Sequence, residues 1–197
     1  MHNFLTLTLS PQVPVSFHNY PSSCNIPSRL WNSFHRILEN LRRISLTSEV
    51  ALEYLSEFIY YCYNFYAGLL ENPILDSFRI QWLEALGDLS RYRMLTVRMA
   101  SSPVDGRGSS GDMFAERNPS EARIDDSPSP SVGPAAAQAL DTEPESETWR
   151  KTAREWYAQA IKEMPGQGRL HHHLGLVSRD AEDEEMRAVY HFVKRYL

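Results

Sequence analysis

Residues 48–71 and 73–99 both keep a helical period, yet they meet at Asn72-Pro73, and that junction most constrains the fold. A proline bars its predecessor from helical backbone but is tolerated in the first turn of a helix, so the two runs are separate helices, one ending near Glu71 and the next starting near Pro73. Ser48 is placed to cap the first of them. On the second, Leu75, Phe78, Trp82, Ala85, Leu86 and Leu89 fall on one side of a 3.6-residue wheel, while Glu84, Asp88, Arg91 and Arg98 fall on the other. Arg91 therefore points away from the core. Arg93 lands within the apolar stripe, where a guanidinium has to find a carboxylate or carbonyl or reach out to water.

An earlier helix is expected from Ser28, as N-cap, to about Ile44, with Leu30, Trp31, Phe34, Ile37, Leu38, Leu41 and Ile44 as a broad apolar stripe. Arg29, Arg36 and Arg43 recur every seven residues opposite it and read first as a solvated face. The helix over 48–71 is rich in aromatics, among them Tyr54, Phe58, Tyr60, Tyr61, Tyr63, Phe65 and Tyr66. They suit core packing better than base stacking, because no lysine or arginine lies between Glu49 and Phe78 to hold a phosphate backbone.

Outside these helices the character changes. Residues 1–27, with Pro11, Pro14, Pro21 and Pro27, read as an extended or disordered N-terminal segment. In residues 100–146 Ser, Pro, Gly, Asp and Glu dominate and no period survives, so this stretch is expected to be a disordered insertion; its Ser102-Pro103, Ser127-Pro128 and Ser129-Pro130 pairs have the form of proline-directed phosphorylation sites. A net charge of -5 argues against nucleic-acid binding by bulk electrostatics, though not against a local basic groove. Only Cys24 and Cys62 are present, without metal-ligand spacing or a signal peptide, which favours a reducing intracellular compartment. No run is long and apolar enough for a membrane span.

Helical periodicity returns at Glu147 and brings a repeat. Ala153, Trp156-Tyr157, Ala160-Ile161 and Pro165 match the second helix of a tetratricopeptide unit, and Leu174-Gly175 match the Leu-Gly of the next unit's first helix. Ala188 and Tyr190 resume the pattern 35 residues after Ala153. Small residues let helices approach closely, so residues 147–197 are expected to complete one all-α, antiparallel helical stack with residues 28–99. The chain ends on a repeat helix with no polar helix after it, which reads as a fragment.

His171-His172-His173 invites a zinc site, but consecutive helical positions point about 100° apart and cannot converge on one ion. There is no nucleophile elbow and no Gly-rich phosphate loop, so neither an enzyme nor a cofactor is expected. The basic set Arg36, Arg91 and Arg93 with Tyr92 remains. Two guanidiniums and a phenol suit a phosphate monoester, with about -1.5 to -2 charges and three acceptor oxygens, better than a carboxylate.

At these residues the chain resembles the Est-type family, which includes the telomerase-associated Est subunit and the SMG adaptors of nonsense-mediated mRNA decay. Leu30-Trp31-Asn32 with Arg36 resembles the family's first phosphate-contacting helix, and Gly87-Asp88-Leu89-Ser90-Arg91-Tyr92 resembles a Gly-Asp-x-x-Arg-Tyr motif shared with 14-3-3 proteins. Trp156-Tyr157, Pro165, Gly168, His171-His172-His173-Leu174 and Tyr190-His191-Phe192 resemble a later block, most closely in its fungal form. The resemblance implies a 14-3-3-like domain fused to tetratricopeptide-like helices. It makes Arg36, Arg91 and Tyr92 the phosphate-binding residues, supported by Asp88, Arg93 and His172, the last at the position where many members carry an asparagine. The implied function is a phosphopeptide-binding adaptor in the nucleus, shuttling to the cytoplasm, whose partner is a phosphorylated protein segment. The alternative is a DNA/RNA-binding module that takes RNA or telomeric DNA through regions beyond this stretch.

Overall fold

A computed structural model describes residues 2–101, 145–179, 181 and 184–196. Eight α-helices run through them: α1 (His2–Thr8), α2 (Tyr20–Ser23), α3 (Ile26–Ser45), α4 (Glu49–Glu71), α5 (Arg79–Ser101), α6 (Glu145–Glu163), α7 (Gly168–Arg179) and α8 (Glu185–Lys194). Short 3-10 turns at Val15–Phe17 and Pro73–Phe78 complete the described secondary structure, which contains no strand. None of these helices is long and apolar enough to cross a membrane.

The punctuation of the long helices follows local chemistry. Ser48 caps α4, its side chain accepting from the Ala51 amide at 3.4 Å. Asn72 leaves helical backbone, with ψ at 110°, and its Oδ1 accepts from the Ile74 amide at 3.1 Å. Pro73 therefore opens a 3-10 turn and α5 proper begins only at Arg79. α3 starts two residues before the expected Ser28, from Asn25 in the left-handed region at φ 53°, a conformation asparagine tolerates better than most residues. Its buried stripe is also narrower than expected, since Ile37 and Ile44 are exposed.

The N-terminal segment differs most from expectation. It is helical in α1 and α2, and Leu5 is fully buried against the core built by α3, α4 and α5. Nothing in the local pattern announces this, because the surface that covers Leu5 is supplied by residues far along the chain. The expected insertion at 100–146 lies outside the described residues except at its ends, where residues 100–101 finish α5 and 145–146 begin α6.

Two cores result. The first gathers Leu30, Leu38, Leu55, Ile59, Tyr66, Trp82, Leu86 and Leu89, with Trp31, Phe34, Phe58 and Phe65 packed around them. The aromatics of α4 divide between this core and solvent: Tyr66 is buried, whereas Tyr54 and Tyr61 are exposed. The second core joins Leu83 on α5 to Ala153, Tyr157 and Ala160 on α6 and to Leu170, Leu174 and Val177 on α7. α6 lies along α5 as the repeat pattern requires. Gly87 explains how closely: a Cβ there would sit 2.5 Å from the Tyr157 ring. Gly175 lets α7 meet Phe192 of α8 in the same way.

Candidate functional site

α3, α5 and α7 enclose a groove of about 500 Å3 whose lining includes Trp31, His35, Glu39 and Arg42 from α3, Asp88, Arg91, Tyr92 and Arg98 from α5, and His173 and Arg179 from α7. The spacing on each helix is the reason these residues meet. Trp31, His35, Glu39 and Arg42 are four, four and three apart, and Asp88, Arg91 and Arg98 follow the same rule, so each set shares a helix face. Four arginines face two carboxylates, which makes the lining positive in a chain of net charge -5.

Hydrogen bonds hold the groove open. Tyr92 donates its hydroxyl to Glu39 Oε1 at 2.5 Å, joining α5 to α3, while Arg42 donates to the same carboxylate from Nε at 3.1 Å and Nη2 at 2.8 Å. The Arg42 hydrogen bonds hold the Glu39 carboxyl at about 2, against the opposing push of burial and with further help from Tyr92. Burial, then the Glu39 bond, pushes Tyr92 well above the usual phenol range, so its proton stays available for donation.

Asp88 is the second junction. It accepts from the Tyr157 hydroxyl at 2.5 Å and faces Arg91 Nη1 at 3.6 Å and His173 Nδ1 at 3.7 Å. Burial raises its pKa, while His173, Tyr157 and Arg91 draw it back. His173 stacks on the Tyr157 ring with centroids 5.1 Å apart. Its Nδ1 lies 3.3 Å from Arg91 Nη1, and if that nitrogen accepts from the guanidinium, the ring proton sits on Nε2, which faces Glu84 at 3.4 Å.

The residues singled out in the sequence divide between groove and scaffold. Arg91, Tyr92 and Asp88 line the groove. Arg36 does not: it is exposed, like Arg29 and Arg43, and sits about 100° around α3 from His35. Arg42 is the α3 arginine that lines it. Arg93 finds the carboxylate its position demands, with Nη2 2.9 Å from Glu145 Oε1 and its guanidinium 4.8 Å from the centre of the Tyr60 ring, away from the groove. His172 turns toward α8, where Arg195 Nη1 lies 3.1 Å from its Nδ1, so His173 rather than His172 faces the groove. His171 meets His191 at 3.0 Å. The three histidines thus serve three different neighbours, and among the described residues no group of three or more His, Cys, Asp or Glu is placed to hold a metal ion.

Arg42, His35 and His173 are among the groove residues that sequence reasoning missed, with Glu39 and Arg179. A signal existed for the first two, because the wheel that places Trp31 and Glu39 on one face of α3 also places His35 and Arg42 there. For His173 there was none beyond the histidine run itself, since one step along a helix changes the neighbour completely.

Chemically, the arrangement suits a compact polyanion. Guanidiniums offer paired donors and His35 a ring N–H, the Tyr92 proton being donated to Glu39, and Trp31 and Leu95 give the groove an apolar flank. The family model described as the Est1 DNA/RNA binding domain matches residues 153–194. The match begins in α6 and ends with α8, so it includes His173 and Arg179 of the groove, while Arg42, Arg91, Tyr92 and Arg98 precede it. It supports an Est1-type family for this part of the chain. No curated protein and no solved structure matches the chain.

Proposed function

We propose that the chain is an Est-type adaptor, not an enzyme, that holds a phosphorylated protein segment in the groove between α3, α5 and α7 and acts in the nucleus in telomere maintenance or mRNA decay. The observation that carries this reading is the placement of four arginines around one enclosed volume on an otherwise acidic protein. A phosphate monoester brings the charge and the acceptor oxygens that such a lining can use. Glu39 and Asp88 orient Arg42 and Arg91 in the free protein, and an incoming phosphate competes with them for those donors.

The match of residues 153–194 to a DNA/RNA-binding family model favours a second reading, in which the same cations contact a nucleic-acid backbone. The deciding measurement is fluorescence anisotropy at physiological salt, with a phosphoserine peptide, its unphosphorylated twin, single-stranded RNA and telomeric DNA as ligands. The adaptor reading expects only the phosphopeptide to bind well. Arg91→Lys keeps the cation but loses the planar fork; a charge-assisted contact contributes about 1.5–3 kcal/mol, so affinity should fall by roughly tenfold to over a hundredfold. Arg36→Gln, on the exposed face, should change it little. Equal binding of both peptides, or nucleic-acid binding that depends on Arg91 and falls steeply with salt, replaces the adaptor reading with the second one.

A further inference from the structure

The three helices of the arginine groove run past it in the same direction. Arg169 pairs with Glu84 and His173 faces Asp88, so α7 climbs beside α5. α3 does likewise, for Pro27 and Ser28 share a concavity with Trp82 and Ala85, while Glu39 meets Tyr92 further along. Each helix therefore brings groove residues to a near end and to a far end. At the near end Arg91 Nη1 lies 3.3 Å from His173 Nδ1, and the His35 ring stands 6.2 Å from that of Tyr92. Seven residues beyond His35 comes Arg42, seven beyond Arg91 comes Arg98, and six beyond His173 comes Arg179, all lining the same volume. At a rise of about 1.5 Å per residue the two sets lie roughly 9–10.5 Å apart along the helices. Leu95 and Leu176 present apolar surface between them.

A single phosphate monoester occupies one end only. A ligand that uses both ends carries anionic groups on opposite sides of a compact body. A six-membered carbon ring phosphorylated on opposite carbons has that form, and each phosphate brings the charge and the acceptor oxygens that guanidinium forks pair with. A dicarboxylate would bring only one charge and two oxygens to each end, where three helices each supply a nitrogen donor. The groove volume, about 500 Å3, lies within the range of sites that enclose small molecules.

We propose that the groove also takes a small ring polyphosphate of the inositol polyphosphate class, its phosphates held at one end by Arg91 and the histidines and at the other by Arg42, Arg98 and Arg179, and that this ligand excludes the phosphorylated segment. The exclusion rests on the phosphopeptide reading of the same groove; the binding itself does not. A soluble metabolite and a lipid head group are two sources of this chemistry.

The test is isothermal titration calorimetry on the full chain at physiological salt, with inositol hexakisphosphate and with inositol monophosphate. Sedimentation with vesicles that contain or lack phosphatidylinositol bisphosphate runs beside it. The hexakisphosphate should bind one to one and roughly tenfold to over a hundredfold more tightly than the monophosphate, because it gains charge-assisted contacts at the second end. Arg98→Gln and Arg179→Gln, both exposed at the far end, should each lower its affinity about tenfold or more, whereas Arg36→Gln, outside the groove, should not. Unchanged thermal unfolding shows that these variants stay folded. Binding to the lipid vesicles alone names a head group as the source, binding of the free ligand alone names a metabolite, and either supports the proposal. Equal affinity for the two inositol phosphates, or a loss in Arg36→Gln that matches those at the far end, shows diffuse charge attraction and overturns it. A labelled phosphoserine peptide should be displaced by the hexakisphosphate, and binding of both together overturns the exclusion. If the ring polyphosphate binds and no phosphopeptide does, the adaptor reading falls and the polyphosphate site stands; if only the phosphopeptide binds, the reverse holds.

Discussion

The two cores of this molecule are built by opposite means. Between α3, α4 and α5 the chain uses bulk: Trp82, Tyr66, Phe34 and Phe65 interlock with centroid distances of 5.5–5.8 Å. Between α5, α6, α7 and α8 it uses smallness and charge. Gly87, Ala153, Ala160, Gly175 and Ala188 let backbones approach, and Arg150 and Arg154 of α6 tie to Glu184 beside α8 at 3.2 and 2.6 Å. The groove lies on the seam, taking Arg42 and Arg91 from the first region and His173 and Arg179 from the second. The difference teaches that one wall of the groove is fixed by aromatic packing and by a Glu39 carboxylate that keeps its charge, while the other is held by histidines that titrate.

The strongest way to break this contrast is to hollow the first core. Trp82→Ala removes a side chain 1 % exposed and should cost about 3–5 kcal/mol, read as a shift of the urea midpoint. A loss below about 1 kcal/mol, the scale of an ordinary surface change, would mean that aromatic bulk is not what holds this region.

A paired glycine experiment sharpens the second half of the contrast. Gly87→Ala drives a Cβ to 2.5 Å from the buried Tyr157 ring and should cost about 1–3 kcal/mol by overpacking. Gly68 of α4, with nothing within 4 Å of its Cβ position, should behave the other way, Gly68→Ala gaining about 0.5–1 kcal/mol from helix propensity alone. Equal effects at the two sites would remove close approach as the principle of the second core.

The mildest effect is that of acid. Burial lowers the His172 pKa, with Arg195 and His173 adding to it, and burial lowers that of His191, with His171, Arg187 and Arg154 adding. A histidine with a lowered folded pKa binds fewer protons folded than unfolded, so its contribution is complete above the ordinary 6.5 and is lost as pH falls below it. Amide exchange at pH 7.5 and 5.5 should therefore show protection lost in α7 and α8 while α3 to α5 keep theirs. Glu39, held at about 2, keeps its charge throughout that range. Uniform loss over all helices would contradict the division.

How much of this was readable depended on the range of the interaction. Ser48, Asn72-Pro73 and the buried run from Leu75 to Leu89 act within a turn or two, and the sequence shows them directly. The alanines at 153 and 160 were legible because a repeat states the packing rule twice. Arg93 showed that it needed a carboxylate but not that Glu145 would supply it. Arg36 was preferred to Arg42 on the family resemblance alone, its seven-residue recurrence reading as a solvated face, whereas the place of Arg42 in the groove goes with a carboxylate three residues earlier that also binds Tyr92, 53 residues away. His172 and His173 differ by one step of a helix whose rotation about its axis is set by Phe192 and Tyr157, and no local pattern records that angle.

The ion pair between Arg93 and Glu145 has a geometric consequence. It fastens the last turns of α5 to the first residue of α6, so the two ends of the intervening sequence are held together by the helices themselves. Lengthening a chain whose ends are already pinned costs only about 0.6 kcal/mol per doubling. The register of Arg91 and Tyr92 is thus set by the contact of α5 with α6 itself, at both ends of residues 102–144.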